Sequence, residues 1–200
     1  IVDLYPFENQ LNQKNKFNHK ELFDVFDLCL NCKACTSECP SNVDVSILKA
    51  EFLHQYYKEN KVPFRTKLFA HNAAYNKLGS LFPRITNLLL SSNTIKKTIG
   101  IATQRDLPKL DTQTLVKWYN QNKKRLHKEE KPYGSVLVFC DEFTNYFDVS
   151  VGIATLKLLS KVGYKPIIVK HEESGRSAIS KGLLSFAKQK ANKNISIFKD

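Results

Sequence analysis

The sequence predicts a two-part α+β chain, all-helical over residues 1–122, with a linker over 123–132 and a partial α/β (βαβα) part over 133–200. Three observations carry this. Apolar residues recur at helical spacing as far as TQTLVKWYNQNKK; NKKRLHKEEKPYG is polar, charge-dense and ends in Pro132 and Gly134; beyond it, SVLVFC and YKPIIVK read as strands, each followed by a helical pattern. Strand, helix, strand, helix implies a parallel βαβ unit with a right-handed crossover. Two strands make a poor sheet and a parallel pair needs cover on both faces, so this half is expected to continue past Asp200.

Taken in order, NHKELFDVFDL opens with a capping-box pattern, Asn18 with Glu21, and its Leu22, Val25, Phe26 and Cys29 share one helical face. VDVSILKAEFLHQYYKEN predicts a second helix, with Val45, Leu48, Phe52 and Tyr56 on one face and Ser41 or Asn42 as cap. PFRTKLFAHNAAYNKLGSLF predicts a third, with Pro63 in the first turn and Phe64, Leu68, His71, Tyr75, Leu78 and Phe82 in one stripe. Shorter helical pieces follow through ITNLLLSSNTIKKTI and TQTLVKWYNQNKK. In the α/β part, DVSVGIATLKLLSKVG is a helix closed by Gly163, and SAISKGLLSFAKQKANKN is another.

At 200 residues, 42% hydrophobic and 25% charged, the chain has a core to bury. No run of about 18 apolar residues exists, which excludes a membrane-spanning helix and predicts a soluble chain. IVDLYPFENQ has no basic leader, no apolar h-region and no initiator methionine, so the chain is expected to be a piece of something longer. The formal net charge of +12 predicts attraction to nucleic acid, anionic lipid or an acidic protein face without choosing among them.

Four of the five cysteines, Cys29, Cys32, Cys35 and Cys39, lie within eleven residues, too close for a disulfide framework. Their spacing with Pro40, C-x2-C-x2-C-x3-C-P, is that of the bacterial-type [4Fe-4S] run. Thiolates three residues apart around a tight loop can point at one iron-sulfur cube while backbone N–H groups donate to its sulfurs. Structural zinc prefers two separated pairs, so a zinc knuckle explains the run poorly, as do unligated core cysteines. Cys39 either serves a second cluster completed upstream of Ile1 or closes a single cluster locally; Cys140 is over one hundred residues away.

Two weaker constellations follow the strands, where α/β sheets place ligands. Cys140, Asp141 and Glu142 are site candidates; the plainer reading is a buried strand-end cysteine beside two solvated carboxylates. Ser174, Gly175, Arg176 and Ser177 could hold an anion at a helix start, though ordinary capping explains them as well. His71 reads as a core histidine, and Trp118, Tyr119 and the basic KKR at 123–125 as a solvated linker rather than a nucleic-acid patch. No Ser-His-Asp, Cys-His or HExxH arrangement is present.

LCLNCKACTSECPSNVDVSILKAEFLHQYY resembles the second ferredoxin-like segment of FAD-linked oxidases of the glycolate, D-lactate and D-2-hydroxyglutarate dehydrogenase group. FCDEFTNYFDVSVGIATLKLLSKVGYKPIIV with ESGRSAISKGLLSFAK looks like the start of the cysteine-rich CCG domain shared with glycolate oxidase iron-sulfur subunits and heterodisulfide reductases. The resemblance implies an α-helical ferredoxin-like domain followed by a partial CCG-type domain. It implies that Cys29, Cys32 and Cys35 hold one [4Fe-4S] cluster and that Cys39 serves a second whose other ligands lie outside this chain. Where relatives carry Cys-Cys-Gly, this sequence has Glu173-Ser174-Gly175, which puts a further cluster or redox thiol there in doubt.

The expected function is electron transfer from a flavin that oxidises a 2-hydroxy acid, through [4Fe-4S] clusters, to a quinone or redox protein. FAD is expected on a separate domain or partner subunit, and nucleic acid is not expected as a partner. The competing expectation is a structural or docking iron-sulfur domain. The expected location is the cytoplasm, with peripheral contact at the inner membrane face as the variant.

Overall fold

The computed structural model describes residues 17–128 and 132–199; IVDLYPFENQ and the middle of the expected linker lie outside the described residues. Its helices run α1 (Lys20–Asp27), α2 (Ala34–Glu38), α3 (Val45–Tyr56), α4 (Phe64–Ala70), α5 (Asn72–Gly79), α6 (Pro83–Ser91), α7 (Asn93–Ile99) and α8 (Leu115–Leu126). Then come β1 (Ser135–Leu137), α9 (Glu142–Tyr146), α10 (Val149–Lys161), β2 (Lys165–Ile167), α11 (Arg176–Ser180) and α12 (Leu184–Phe198). By contacts the described residues form two compact units: those up to Ala70 with Gly175–Gln189, and His71–Ser174 with those from Lys190 onward. In chain order the described elements run from helices to strand, helix, helix, strand, helix, helix.

In the first unit, rings clamp α1 to α3: Phe26 lies 5.2 Å from Phe52 and Phe23 lies 4.9 Å from Tyr56. The face of α1 that turns inward is therefore Leu22, Phe23 and Phe26, while Val25 is 60% exposed. The inward face of α3 is Ser46, Lys49, Ala50, Phe52 and Leu53, and Leu48 faces out. The expected capping box does not form: His19 is the N-cap residue of α1 and its side chain makes no capping bond to the helix, and the Asn18 side chain accepts from Asn60. Asp44, rather than Ser41 or Asn42, caps α3. Helix α11 packs on α3 and α4, with Ala70, Ala178 and Ala187 as a small-residue core beside Leu183 and Phe186.

In the second unit, β1 and β2 pair in parallel, Ser135 opposite Lys165 and Leu137 opposite Ile167. Pro166 at the centre has no N–H to give, and its carbonyl accepts from the Tyr119 hydroxyl at 3.2 Å and meets the His127 ring nitrogen at 2.9 Å. Helices α8 and α10 pack on each other, and Leu115, Tyr119, Leu126, Cys140, Val149 and Leu156 form the core. Tyr119 is buried, and Trp118 is half-buried against that core with the Lys157 ammonium 5.8 Å from its ring. These two residues are thus core, not solvated linker, and α8 runs on through residues 123–126.

Two predicted helices are each broken in two. The third stops at Ala70 and restarts at Asn72, with His71 (φ −102°, ψ 28°) as the cap of α5 rather than a stripe residue. The C-terminal one stops at Ser180, where Gly182 takes φ +73° before α12 begins. Among the described residues no helix is long and apolar enough to cross a membrane.

Candidate metal centre

The cysteine run sits between α1 and α3. Helix α1 ends at Asp27 with Leu28 as its C-cap, and the Cys29 N–H still donates to the Phe26 carbonyl at 3.1 Å. Asn31 (φ 58°) and Lys33 (φ 63°) are then left-handed, as is Asn42 (φ 52°) after the last cysteine. A non-glycine residue in that region is uncommon, and such residues gather where a site over-determines the backbone. Lys33 caps the short α2, which carries Cys35; the Cys39 N–H closes it onto the Cys35 carbonyl at 2.9 Å. The Cys39 carbonyl in turn accepts from the Asn42 N–H at 2.9 Å, a turn over Pro40 and Ser41.

Asp44 ties the end of this loop to α3. Its carboxylate accepts from the Ser46 N–H at 2.8 Å, from the Ile47 N–H at 3.2 Å and from the Ser46 hydroxyl, and these bonds hold it below the usual carboxylate range. Lys49, buried on α3, donates to the Cys29 carbonyl at 2.6 Å. Nearby, burial first and Lys49 second hold the Lys181 ammonium below its ordinary pKa. N–H groups of Val43 and Ser41 donate toward the Cys39 sulfur and lower its thiol pKa.

The donor set therefore fits a thiolate-bound group. Cysteine sulfur receives backbone N–H donation, buried positive charge stands beside the loop, and Asn31 Oδ1 and Thr36 Oγ1 within the run are buried with no hydrogen-bond partner. Cys32 is exposed, and Cys29, Cys35 and Cys39 are partly exposed. Among the described residues no three His, Cys, Asp or Glu side chains converge as they stand on a point that could hold a metal ion. The run places the four cysteines in one loop; their side chains are not gathered.

The α/β candidates lie beyond β1 and around the start of α11. Cys140, three residues beyond β1, is buried, and burial with the neighbouring Asp141 charge pushes its thiol up to about 12. Its N–H donates to His171 Nε2 at 3.0 Å, and both line a cavity of about 260 Å³ with Tyr119, Asn120, Asn145 and Lys170. The two carboxylates are not simply solvated: Asp141 caps α9 through the Phe143 and Thr144 N–H groups, and Glu142 is buried. Glu142 accepts from the Ser174 N–H at 3.0 Å and hydroxyl at 2.7 Å. The Ser174 donors expected to meet an external anion are thus engaged by a carboxylate of the chain itself. Gly175 (φ 75°) caps the five-residue α11, Arg176 is exposed and Ser177 is partly buried.

Sequence reasoning missed Asp44, Lys49 and Thr36. Asp44 could have been found, since an Asp ahead of an apolar run is a cap signature. Lys49 and Thr36 carry no pattern signal, because a lysine or a threonine on a helix is ordinarily exposed.

Compared with curated proteins, the chain is 30% identical over 185 residues to a protein of Escherichia coli (strain K12), 31% over 189 to one of Haemophilus influenzae and 29% over 189 to one of Pantoea ananatis. The relatives are D-2-hydroxyglutarate dehydrogenases. The alignments cover 86–88% of this chain, and the chain spans about 18% of the length of each D-2-hydroxyglutarate dehydrogenase it matches. That name is one of the three in the oxidase group that the cysteine run resembles, and identity near 30% supports the relation to that group. No family model matches the chain, and no solved structure matches it.

Proposed function

We propose that this chain is an electron-transfer module of an FAD-linked oxidoreductase acting on a 2-hydroxy acid. In it Cys29, Cys32 and Cys35 hold a [4Fe-4S] cluster, and Cys39 serves a second cluster completed elsewhere. The observation that carries the reading is the C-x2-C-x2-C-x3-C-P run held in a loop with left-handed Asn31 and Lys33. When bound, the cluster supplies a one-electron carrier. The chain's own residues bind it through thiolates, offset its negative charge with Lys49, and keep the loop in register through Asp44. The flavin chemistry, the substrate and the acceptor, a quinone or redox protein, belong to the rest of the enzyme. The proposed location is cytoplasmic, with contact at the inner membrane face where the acceptor is a quinone.

A second reading, a docking domain whose cluster is structural, is favoured by one feature. Leu28 and Leu30 beside the first cysteines are 81% and 89% exposed.

The test is iron and acid-labile sulfide per chain after anaerobic reconstitution, with visible and EPR spectra before and after reduction. Iron near four per cluster and a signal on reduction support electron transfer; iron that resists reduction by a flavin donor favours the docking reading. In the whole enzyme, Cys32→Ser should abolish electron exit while flavin reduction by substrate survives. Acceptor reduction at the wild-type rate by that variant sinks the proposal.

A further inference from the structure

Thr36 stands next to Cys35 in α2, and its Oγ1 is buried without a hydrogen-bond partner. Burying a hydroxyl unpaired is costly, and native structures rarely leave one so. A helical Ser or Thr has an easy outlet in the carbonyl three or four residues back. Ser37, one residue on in the same helix, takes it, donating to the Ala34 carbonyl at 2.9 Å; Thr36 does not. Asn31 Oδ1, between Cys29 and Cys32, is the other buried polar atom without a partner in the run. Both orphaned atoms lie between the first and last of the four cysteines.

We infer that the Thr36 hydroxyl donates a hydrogen bond to a sulfur of the group held by the cysteine run and raises its reduction potential. The inference rests on the iron-sulfur reading above. The physics is one of charge. Reduction adds an electron to an already anionic cluster, so a donor aimed at sulfur stabilises the reduced form more than the oxidised form. A hydroxyl is suited to this because it rotates to the sulfur without moving the backbone. Thr36 would be a positioning and tuning residue, not a ligand, because it has no thiolate and cysteines fill the ligand spacing.

The experiment is an EPR-monitored redox titration of the whole enzyme that carries this chain, anaerobically reconstituted, as wild type, Thr36→Val and Thr36→Ser. Thr36→Val keeps the shape and removes the donor; Thr36→Ser keeps the donor. The expected result is equal iron and sulfide in all three, a midpoint more negative in Thr36→Val than in wild type, and a Thr36→Ser midpoint close to wild type. A Thr36→Val cluster with the wild-type midpoint overturns the inference and leaves the iron-sulfur reading intact. A wild type that takes up no iron overturns that reading, and the inference with it. Should Thr36→Val not load, Thr36→Ala against Thr36→Ser makes the same comparison. Failure of both hydroxyl-free variants to load, with Thr36→Ser loading, assigns the hydroxyl to building the loop and overturns the tuning role.

Discussion

Lys49 Nζ donates to the carbonyl oxygen of Cys29 over 2.6 Å, from a side chain that is all but removed from solvent. An ammonium on α3 thus grips the first cysteine of the run by its backbone and leaves its sulfur free. A hydrogen bond from a charged donor contributes about 1.5–3 kcal/mol, and the desolvation of a buried charge takes part of that back. Lys49→Met should therefore lower the unfolding free energy in urea by about 1 kcal/mol. A variant as stable as wild type, or more so, would mean that burying the ammonium costs more than its bond returns, leaving Lys49 there for its charge alone.

Alkylation should separate the cysteines of the metal-free chain. N–H donation from Val43 and Ser41 favours the Cys39 thiolate, whereas burial and Asp141 push the Cys140 thiol up to about 12. The thiolate is the nucleophile, so Cys39 should react with iodoacetamide at lower pH than an ordinary cysteine. Cys140 should stay unlabelled until the chain unfolds. Peptide mass spectrometry across a pH series reads both; early labelling of Cys140 in the folded chain would contradict its burial.

The parts of this molecule that pattern reveals are those where one local rule acts alone. The cysteine run was legible because the spacing of its four cysteines is a property of the chain itself. The strand-helix-strand succession was legible because apolar runs alternate with amphipathic ones. The face of α3 was not: Leu48 fits the helical stripe, but the ring of Phe52 docks on Phe26 and turns the helix so that Lys49 and Ser46 go inside. The break at Gly182 was also hidden, because SAISKGLLSFAKQKANKN keeps a helical pattern across it, and the glycine is demanded by the approach of α3 together with a left-handed backbone that the pattern does not announce. The same holds for Glu142, whose buried carboxylate is satisfied by Ser174, 32 residues away in sequence.

That approach of α3 is testable by adding one methyl group. A Cβ at Gly182 would overlap Leu53 Cβ and come within 3.0 Å of the Leu53 carbonyl carbon, at a backbone φ of +73° that an L side chain resists. Gly182→Ala should destabilise by about 2–4 kcal/mol, combining the left-handed penalty with overpacking against backbone that cannot give way. In the other unit, a Cβ at Gly152 would overlap the fully buried Leu115 side chain. Gly152→Ala should cost about 1–3 kcal/mol, and Trp118 fluorescence reports it because Trp118 packs on the same core. A tryptophan transition unmoved by Gly152→Ala would show that Leu115 has room to turn.

Two adjacent carboxylates should give the stability of the α/β part opposite pH slopes. Glu172 is held below the ordinary 4.5 first by its 2.5 Å bond to Lys190, with Lys193 adding to it. Its stabilisation is therefore present above 4.5 and lost as pH falls through the lower, folded value. Glu173 is pushed above 4.5 first by burial and then by Glu142, against the pull of Lys190 and His71. Its contribution is full below 4.5 and lost as pH rises through the higher, folded value. Glu172→Gln should thus cost stability at neutral pH and little in acid. Glu173→Gln should move in the variant's favour relative to wild type as pH rises, because glutamine never has to carry the buried charge. Urea midpoints for both variants between pH 3 and pH 8, a range chosen about the ordinary carboxylate value, decide it. Parallel slopes would mean that the two side chains share one proton equilibrium through Lys190, which lies 3.4 Å from Glu173 as well.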